Sequence, residues 1–233
     1  MNNAFAQKKS RRAHLPVLTD DILFCIINAN SNLIKSKDKN MHNHFFAFFS
    51  RMKYINRWAL MRNTRDDNLS QHSHEVAAIA HALAVIGNKR LQKNYNCERA
   101  ALLGLYHDMP EILTGDIPTP VKYFNKEIVA AYKAVEKAAA EKLLLTLPPD
   151  IREEYAPILT KEGNDSEIWE LVHSADKLSA LIKCVEERGA GNSEFKKAEQ
   201  SLRGFIETRG CPEASIFVGE FLKSYELTLD QLN

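Results

Sequence analysis

Cysteine is scarce in this 233-residue chain, and Cys25, Cys97, Cys184 and Cys211 stand far apart with no CxxC pair among them. That excludes a disulfide-dense scaffold and suits reduced thiols in a cytosol. Excess charge of one sign is missing too. Thirty-one Lys plus Arg against thirty Asp plus Glu leave a net charge of +1, so no basic field exists to collect nucleic acid. No apolar run approaches the eighteen or so residues of a membrane span. Lys8, Lys9, Arg11 and Arg12 begin like an export signal, but Thr19, Asp20 and Asp21 interrupt before the short apolar run Ile22–Ala29, which makes it a poor one. Walker-type and dinucleotide glycine motifs, internal repeats and low-complexity tracts are absent as well. The expectation is a cytoplasmic protein with neither nucleic acid nor membrane as partner.

What is present is the balance of a globular protein, with 45% hydrophobic and 26% charged residues. A chain of this size buries roughly 70–75% of its unfolded surface. Apolar residues recur at helical spacing and no stretch alternates cleanly enough for a strand, so the fold class is all-α. Helices are expected at about 20–35, 42–57, 70–87, 97–108, 126–146, 165–188, 193–208 and 213–224, with Asp20, Ser70, Asn96, Asn125, Asp165 and Ser193 as N-caps. Pro148-Pro149 and Gly189-Ala190-Gly191 mark turns. The polar stretch 36–40 reads as a linker. It divides a helical or disordered extension, 1–40, from a helical-bundle domain, 41–233.

Three positions demand explanation. On the helix over 165–188, Ile168, Val172, Ser179 and Ile182 share one stripe, and Asp176 falls on it. A carboxylate aimed at a core needs a cation or a metal, and Lys177 or Lys183 could supply the former. His72 shares a stripe with Val76, Ile79, Leu83 and Ile86, where a lone histidine is more often a satisfied core residue than a ligand. His74 and His81 are offset from that stripe and read as structural or solvated. Finally, His107 and Asp108 close the apolar helix that precedes them. Adjacent helical residues point about 100° apart, but at a helix end both can converge on one ion. Each element is weak evidence alone. Together, two imidazoles and two carboxylates on three helices form the mixed donor set of one divalent transition metal, of the Co, Mn, Zn, Ni or Fe class.

The order H…HD…D resembles the signature of the HD-domain metal phosphohydrolases. The segments 55–73 (INRWALMRNTRDDNLSQHS), 106–125 (YHDMPEILTGDIPTPVKYFN) and 175–187 (ADKLSALIKCVEE) narrow the resemblance to bacterial 5′-deoxynucleotidases of the YfbR type, from about residue 41 to the C-terminus. It implies His72, His107, Asp108 and Asp176 as metal ligands, Glu111 as the acidic residue after the HD pair, Arg57 and Trp58 as the arginine–tryptophan pair, and Gly115 to Pro120 as the GD[IL]PTP loop. It further implies a cytoplasmic homodimer that hydrolyses deoxyribonucleoside 5′-monophosphates. Residues 1–40 have no counterpart in that pattern, Gln71 stands where a glutamate can precede the first metal histidine, and Ala59 where proline can follow Trp58.

From these parts a mechanism can be written. The metal activates water, and Asp108 or Asp176 accepts or orients its proton. Glu111 protonates the leaving 5′-oxygen; otherwise it is a carboxylate stabilising the helix turn begun by Pro110. Arg57 offers a fork to the phosphate, or else forms a surface salt bridge with Asp66 or Asp67. Trp58 walls off the sugar, unless it is simply core. Asp116, Ile117, Pro118 and Thr119 form a stiff loop that can bind substrate, or an ordinary turn between helices. On the residues alone, hydrolysis of a diester, a triphosphate or an alarmone is a competing reading, and a non-catalytic nucleotide sensor a more distant one.

Overall fold

The computed structural model describes residues 43–122, 124–161 and 164–232. The helix expected at 20–35 and the cap Asp20 lie outside the described residues. Those residues carry no β-strand, and extended backbone pairs only at an isolated bridge between Asn56 and Asn68. None of their helices is long and apolar enough to cross a membrane.

The chain builds α1 (Phe45–Phe49), a 3₁₀ turn (Ser50–Tyr54), α2 (Leu69–Arg90), α3 (Cys97–Tyr106), the one-turn α4 (Glu111–Thr114) and α5 (Thr119–Lys122). There follow α6 (Lys126–Leu144), α7 (Pro149–Leu159), α8 (Ser166–Gly189), α9 (Lys196–Arg209) and α10 (Pro212–Phe221). At the centre α2 packs against both α3 and α8. Leu69, Val76 and Leu83 on α2, Leu103 on α3 and Leu178 and Leu181 on α8 are fully buried, each contributing about 1.5–3 kcal/mol by removal from water.

One glycine sets the distance between α2 and α3. A side chain at Gly104 would come within 2.9 Å of the Ala77 Cα, so the two backbones touch there, and His72 on α2 and His107 just beyond α3 stand with ring centroids 5.3 Å apart. The starts of α3 and α8 are tied as well. Asp165 occupies the expected N-cap position of α8, yet its carboxylate does not cap. It takes both Nε and Nη2 of Arg99, at 2.9 and 2.6 Å, because a two-pronged charged partner outcompetes a backbone amide.

Several boundaries differ from the sequence reading. Asn68, not Ser70, caps α2 by accepting from the Ser70 and Gln71 amides, and Asn192, not Ser193, caps the turn before α9; in each case the amide side chain on extended backbone reaches the first amides of the turn. Asn96 and Asn125 cap α3 and α6 as expected. The stretch 42–57 is not one helix. Phe45 is pinned in the core against Tyr155 and Tyr106, and the chain tightens into the 3₁₀ turn. Pro148-Pro149 opens a further helix, α7, since proline fits a first helical turn where no amide partner is lost. Arg152 of α7 donates to the Leu144 and Leu147 carbonyls at the end of α6, so the proline turn is a clamp between two helices.

Candidate functional site

α2, the turn after α3, and α8 bring His72, His107, Asp108 and Asp176 together. One donor atom from each lies within 4.8 Å of the other three. His72 Nε2 is 3.2 Å from Asp176 Oδ1 and 3.6 Å from Asp108 Oδ2, and His107 Nε2 is 2.9 Å from Asp108 Oδ2. Convergence at the helix end comes from local structure. α3 stops at Tyr106, His107 is its C-cap, and Met109 and Pro110 turn the chain into α4.

The opposite ring nitrogens fix the tautomers. His107 Nδ1 lies 2.8 Å from the Gly104 carbonyl, which can only accept, so Nδ1 carries the hydrogen. His72 Nδ1 lies 2.9 Å from Ser179 Oγ, whose own hydrogen goes to Glu75; the serine oxygen therefore accepts from His72. In the neutral rings both Nε2 atoms are then lone pairs, buried and without a hydrogen bond, facing carboxylate oxygens at 2.9–3.6 Å. Acceptors crowded against acceptors are repulsive unless a cation lies among them, and the outer partners are those expected of metal-binding imidazoles.

The electrostatics favour positive charge among these carboxylates, as a proton on the imidazole or as a cation in its place. Burial and Arg57 push the His72 pKa down, but Asp108 and Asp176 more than offset them and raise it. Burial would lift Asp108, yet His107 and His72 hold its carboxyl well below the usual range. For Asp176 burial is likewise outweighed, first by Lys177 and then by His72. Lys177 Nζ sits 2.9 Å from Asp176 Oδ2, so the ion pair considered from sequence does form, on the oxygen facing away from His72. Lys183 is bound elsewhere, by Glu187. His74 and His81 are exposed, as expected.

Around this cluster lie the remaining candidates. Glu111, the first residue of α4, is 5% exposed, and burial, then Asp108 and Asp116, push its carboxyl up to about 9. Lys122 Nζ is 3.7 Å away. Arg57 pairs with Asp67 at 2.7 Å, but its side chain is only 11% exposed, so this is no surface bridge. Asp67, then Asp176, Asp108 and Asp116, keep the guanidinium charged against its burial. Asp116 follows Gly115, whose φ of +75° suits glycine; burial raises its pKa and Arg57 opposes that rise. Ile117 and Pro118 are half-buried in the same loop, and Thr119, exposed, opens α5. Trp58 is half-buried beside Arg57 with its ring 5.3 Å from that of Phe195. Ser179 and Glu75 were not singled out as site residues in the sequence. Their one signal was spacing, three residues after Asp176 and after His72 respectively.

Comparison with known proteins fits this geometry. Residues 44–225 match the family model of the 5′-deoxynucleotidase YfbR-like proteins. A 5′-deoxynucleotidase of Photobacterium profundum is 47% identical over 190 residues, 82% of this chain and 98% of that protein. The 5′-deoxynucleotidase YfbR of Escherichia coli is 48% identical over 190 residues, 82% and 96% of the two chains. Among solved structures, an HD-domain phosphohydrolase of Listeria innocua superposes with a TM-score of 0.64 at 21% identity, covering 78% of this chain and 88% of its own. The HD phosphohydrolase of cyanophage S-2L, bound to dA and one catalytic Zn²⁺ ion, superposes at 0.55 with 18% identity, covering 77% and 95%. The two structures share the helical fold, and on the sequence match over nearly the whole described region the chain belongs to the YfbR-like 5′-deoxynucleotidase family.

Proposed function

We infer that the protein hydrolyses deoxyribonucleoside 5′-monophosphates to the deoxyribonucleoside and phosphate, using one divalent metal held by His72, His107, Asp108 and Asp176. The observation that carries the reading is the pair of buried Nε2 lone pairs facing two ionised carboxylates, a donor set that fits a divalent transition cation of the Co, Mn, Zn, Ni or Fe class. The Zn²⁺ and dA of the cyanophage neighbour are in keeping with that class and with a deoxynucleoside product.

A cation bound there supplies positive charge to the phosphate oxygens and makes a water acidic near neutral pH. The chain's own groups do the rest. Asp108 or Asp176, each ionised, orients the attacking water or accepts its proton. Arg57 offers a permanent charge to the phosphate while Asp67 fixes one of its nitrogens. Glu111 is protonated at neutral pH and gives that proton to the 5′-oxygen, a poor leaving group without it; such acids contribute about 10²–10⁴-fold in rate. Trp58 walls the sugar at C2′, and Asp116, Ile117, Pro118 and Thr119 close the other side, with the Asp116 carboxylate and Thr119 hydroxyl as hydrogen-bonding groups.

The reading extends to a homodimer in the cytoplasm, supported by the family resemblance, with residues 1–40 as an appendage to the catalytic domain 41–233. The test is to strip the purified protein of metal and reload it with single divalent ions. Phosphate release is then followed from a panel of ribo- and deoxyribonucleoside monophosphates, with di- and triphosphates alongside. Release from deoxy monophosphates only after reloading supports the reading; preferential release from triphosphates overturns it. Sedimentation velocity at the mass of two chains checks the dimer.

A further inference from the structure

Glu187, near the C-terminal end of α8, is 1% exposed and does not belong to the metal cluster. Its two carboxylate oxygens accept from the Thr64 amide at 3.1 and 3.0 Å, from the Thr64 hydroxyl at 2.8 Å and from Asn192 Nδ2 at 2.8 Å. Lys183, one turn earlier, pairs with it and also donates to the Arg65 carbonyl. Burial works against the charge, yet Lys183, Asn192 and Thr64 hold this carboxyl down to about 2.

The partners on the far side belong to the segment 56–68, which carries Arg57 and Trp58. The base of that loop is closed by the Arg57 amide donating to the Asp67 carbonyl at 3.0 Å. Its tip is held by Glu187, with Asn192 also donating to the Arg62 carbonyl at 2.7 Å. The same Lys183 ammonium lies 5.7 Å from the Phe195 ring, and Phe195 in turn lies 5.3 Å from the ring of Trp58. One buried ion pair thus supports both the loop tip and, through Phe195, the indole. Trp58 itself has φ +57°, a conformation that a bulky residue keeps only when its surroundings enforce it. Net stability alone is a weak reason to bury an ion pair, since an apolar pair of the same shape does as well.

We propose that Glu187, with Lys183, is a positioning residue for the reaction: by tying loop 56–68 to α8 it presents Arg57 to the phosphate and Trp58 to the sugar, and so sets phosphate affinity and deoxy-over-ribo discrimination without touching substrate. The proposal rests on the roles given above to Arg57 and Trp58. It places the determinant of sugar choice one layer behind the residue that meets the sugar.

The experiment uses the metal-loaded full chain and three variants: Glu187→Gln; Thr64→Val, which deletes the hydroxyl donor alone; and Asn192→Ala, which deletes the amide donor to Glu187 and Arg62 together with the cap of the turn bearing Phe195. The last two leave the ion pair in place. Metal content, kcat and KM for dAMP and AMP, and acrylamide quenching of Trp58 are measured, the last in a Trp169→Phe background because the chain has two tryptophans. In Glu187→Gln full metal content is expected, with kcat/KM for dAMP down by about 10- to 10²-fold, the scale on which misplacing a positioning group acts. The loss falls mainly in KM, the dAMP/AMP ratio drops, and the indole becomes easier to quench. The other two variants follow the same pattern with smaller amplitude, and they carry the test should Glu187→Gln fail to fold. Unchanged sugar preference and quenching in variants that merely melt earlier would overturn the proposal. Arg57→Ala separates the two layers. If it weakens dAMP binding while the Glu187 and Thr64 variants are silent, the tie is irrelevant and the substrate reading stands; if Arg57→Ala keeps the original KM, both fall.

Discussion

The two halves of the site are built differently. The proposed metal half stands on helices: His72 on α2 and Asp176 on α8, with His107 and Asp108 just beyond the end of α3, and those helices build the main core. The proposed substrate half stands on connections: Arg57 and Trp58 in the segment before α2, Asp116 to Pro118 between one-turn helices, and Thr119 at the start of the second. Coordination needs distances that do not drift, and packed helices supply them. Recognition needs shapes that can be retuned, and loops supply those, provided something pins them. The difference teaches where errors should be felt: a change in the helical half removes the reaction, and a change in the loop half redirects or weakens it.

The sharpest attack on that division is on the ligands. His107→Ala and Asp176→Ala are each expected to abolish metal binding and activity while far-ultraviolet circular dichroism keeps its helical signal. Full metal occupancy in either variant, by elemental analysis, would remove that residue from the ligand set. Next comes the group at the border, since Glu111 opens the one-turn α4 directly after the ligand turn. Glu111→Gln is expected to keep metal and substrate affinity and lose about 10²–10⁴ in kcat. A general acid must hold its proton, and Glu111 holds its own below about 9. Rate should therefore fall as pH rises through that value, and the alkaline limb should vanish in the variant. A substrate with a leaving group of low pKa should partly restore turnover.

Within the loop half, Trp58→Ala should raise relative activity on AMP over dAMP by up to about 10²-fold, the limit of what an apolar wall achieves by excluding a hydroxyl, with some loss of overall efficiency from the missing contact with Phe195. Ratios of kcat/KM on both substrates check it. The smallest effect is expected from a region outside both halves. A chain beginning at Met41 should fold and turn over dAMP with unchanged kcat/KM; loss of solubility or activity would show that residues 1–40 serve the catalytic domain.

Legibility in the sequence followed the same division. His72 and Asp176 stood out because a polar group on an apolar helical stripe is visible in spacing alone. Ser179 lay on the Asp176 stripe yet passed as an ordinary member of it. Its partnership with His72 and Glu75 crosses from α8 to α2, and no periodicity encodes which helices meet. Gly104 decides how closely α2 approaches α3, and a glycine inside a helix has no such meaning until Ala77 is found against it. In the loops, Asp67 was named as a partner for Arg57, but as a surface one; the pair is 11% and 15% exposed, and the loop carrying it is tied at Thr64 and Arg65 to Glu187, more than a hundred residues away, a contact that no local pattern encodes. Helix α7 was missed where a Pro-Pro pair was taken as a turn alone, although proline both ends one helix and starts the next.

Between Tyr106 and Glu111 the chain is held locally by single backbone bonds, Met109 to Tyr106 and Glu111 to Asp108, at 3.0 and 2.9 Å. Two of the proposed ligands and the proposed acid ride on this one short bend. An ion that binds the closed bend and not an opened one stabilises it by mass action, so loading is also a local ordering event. Amide exchange should register it: removal of the ion should speed exchange from Met109 to Leu113, while the interior amides of α2 keep their protection. On the proposed reading, Glu111 would then lose its poise together with the metal, leaving the helical body intact and ready to be reloaded.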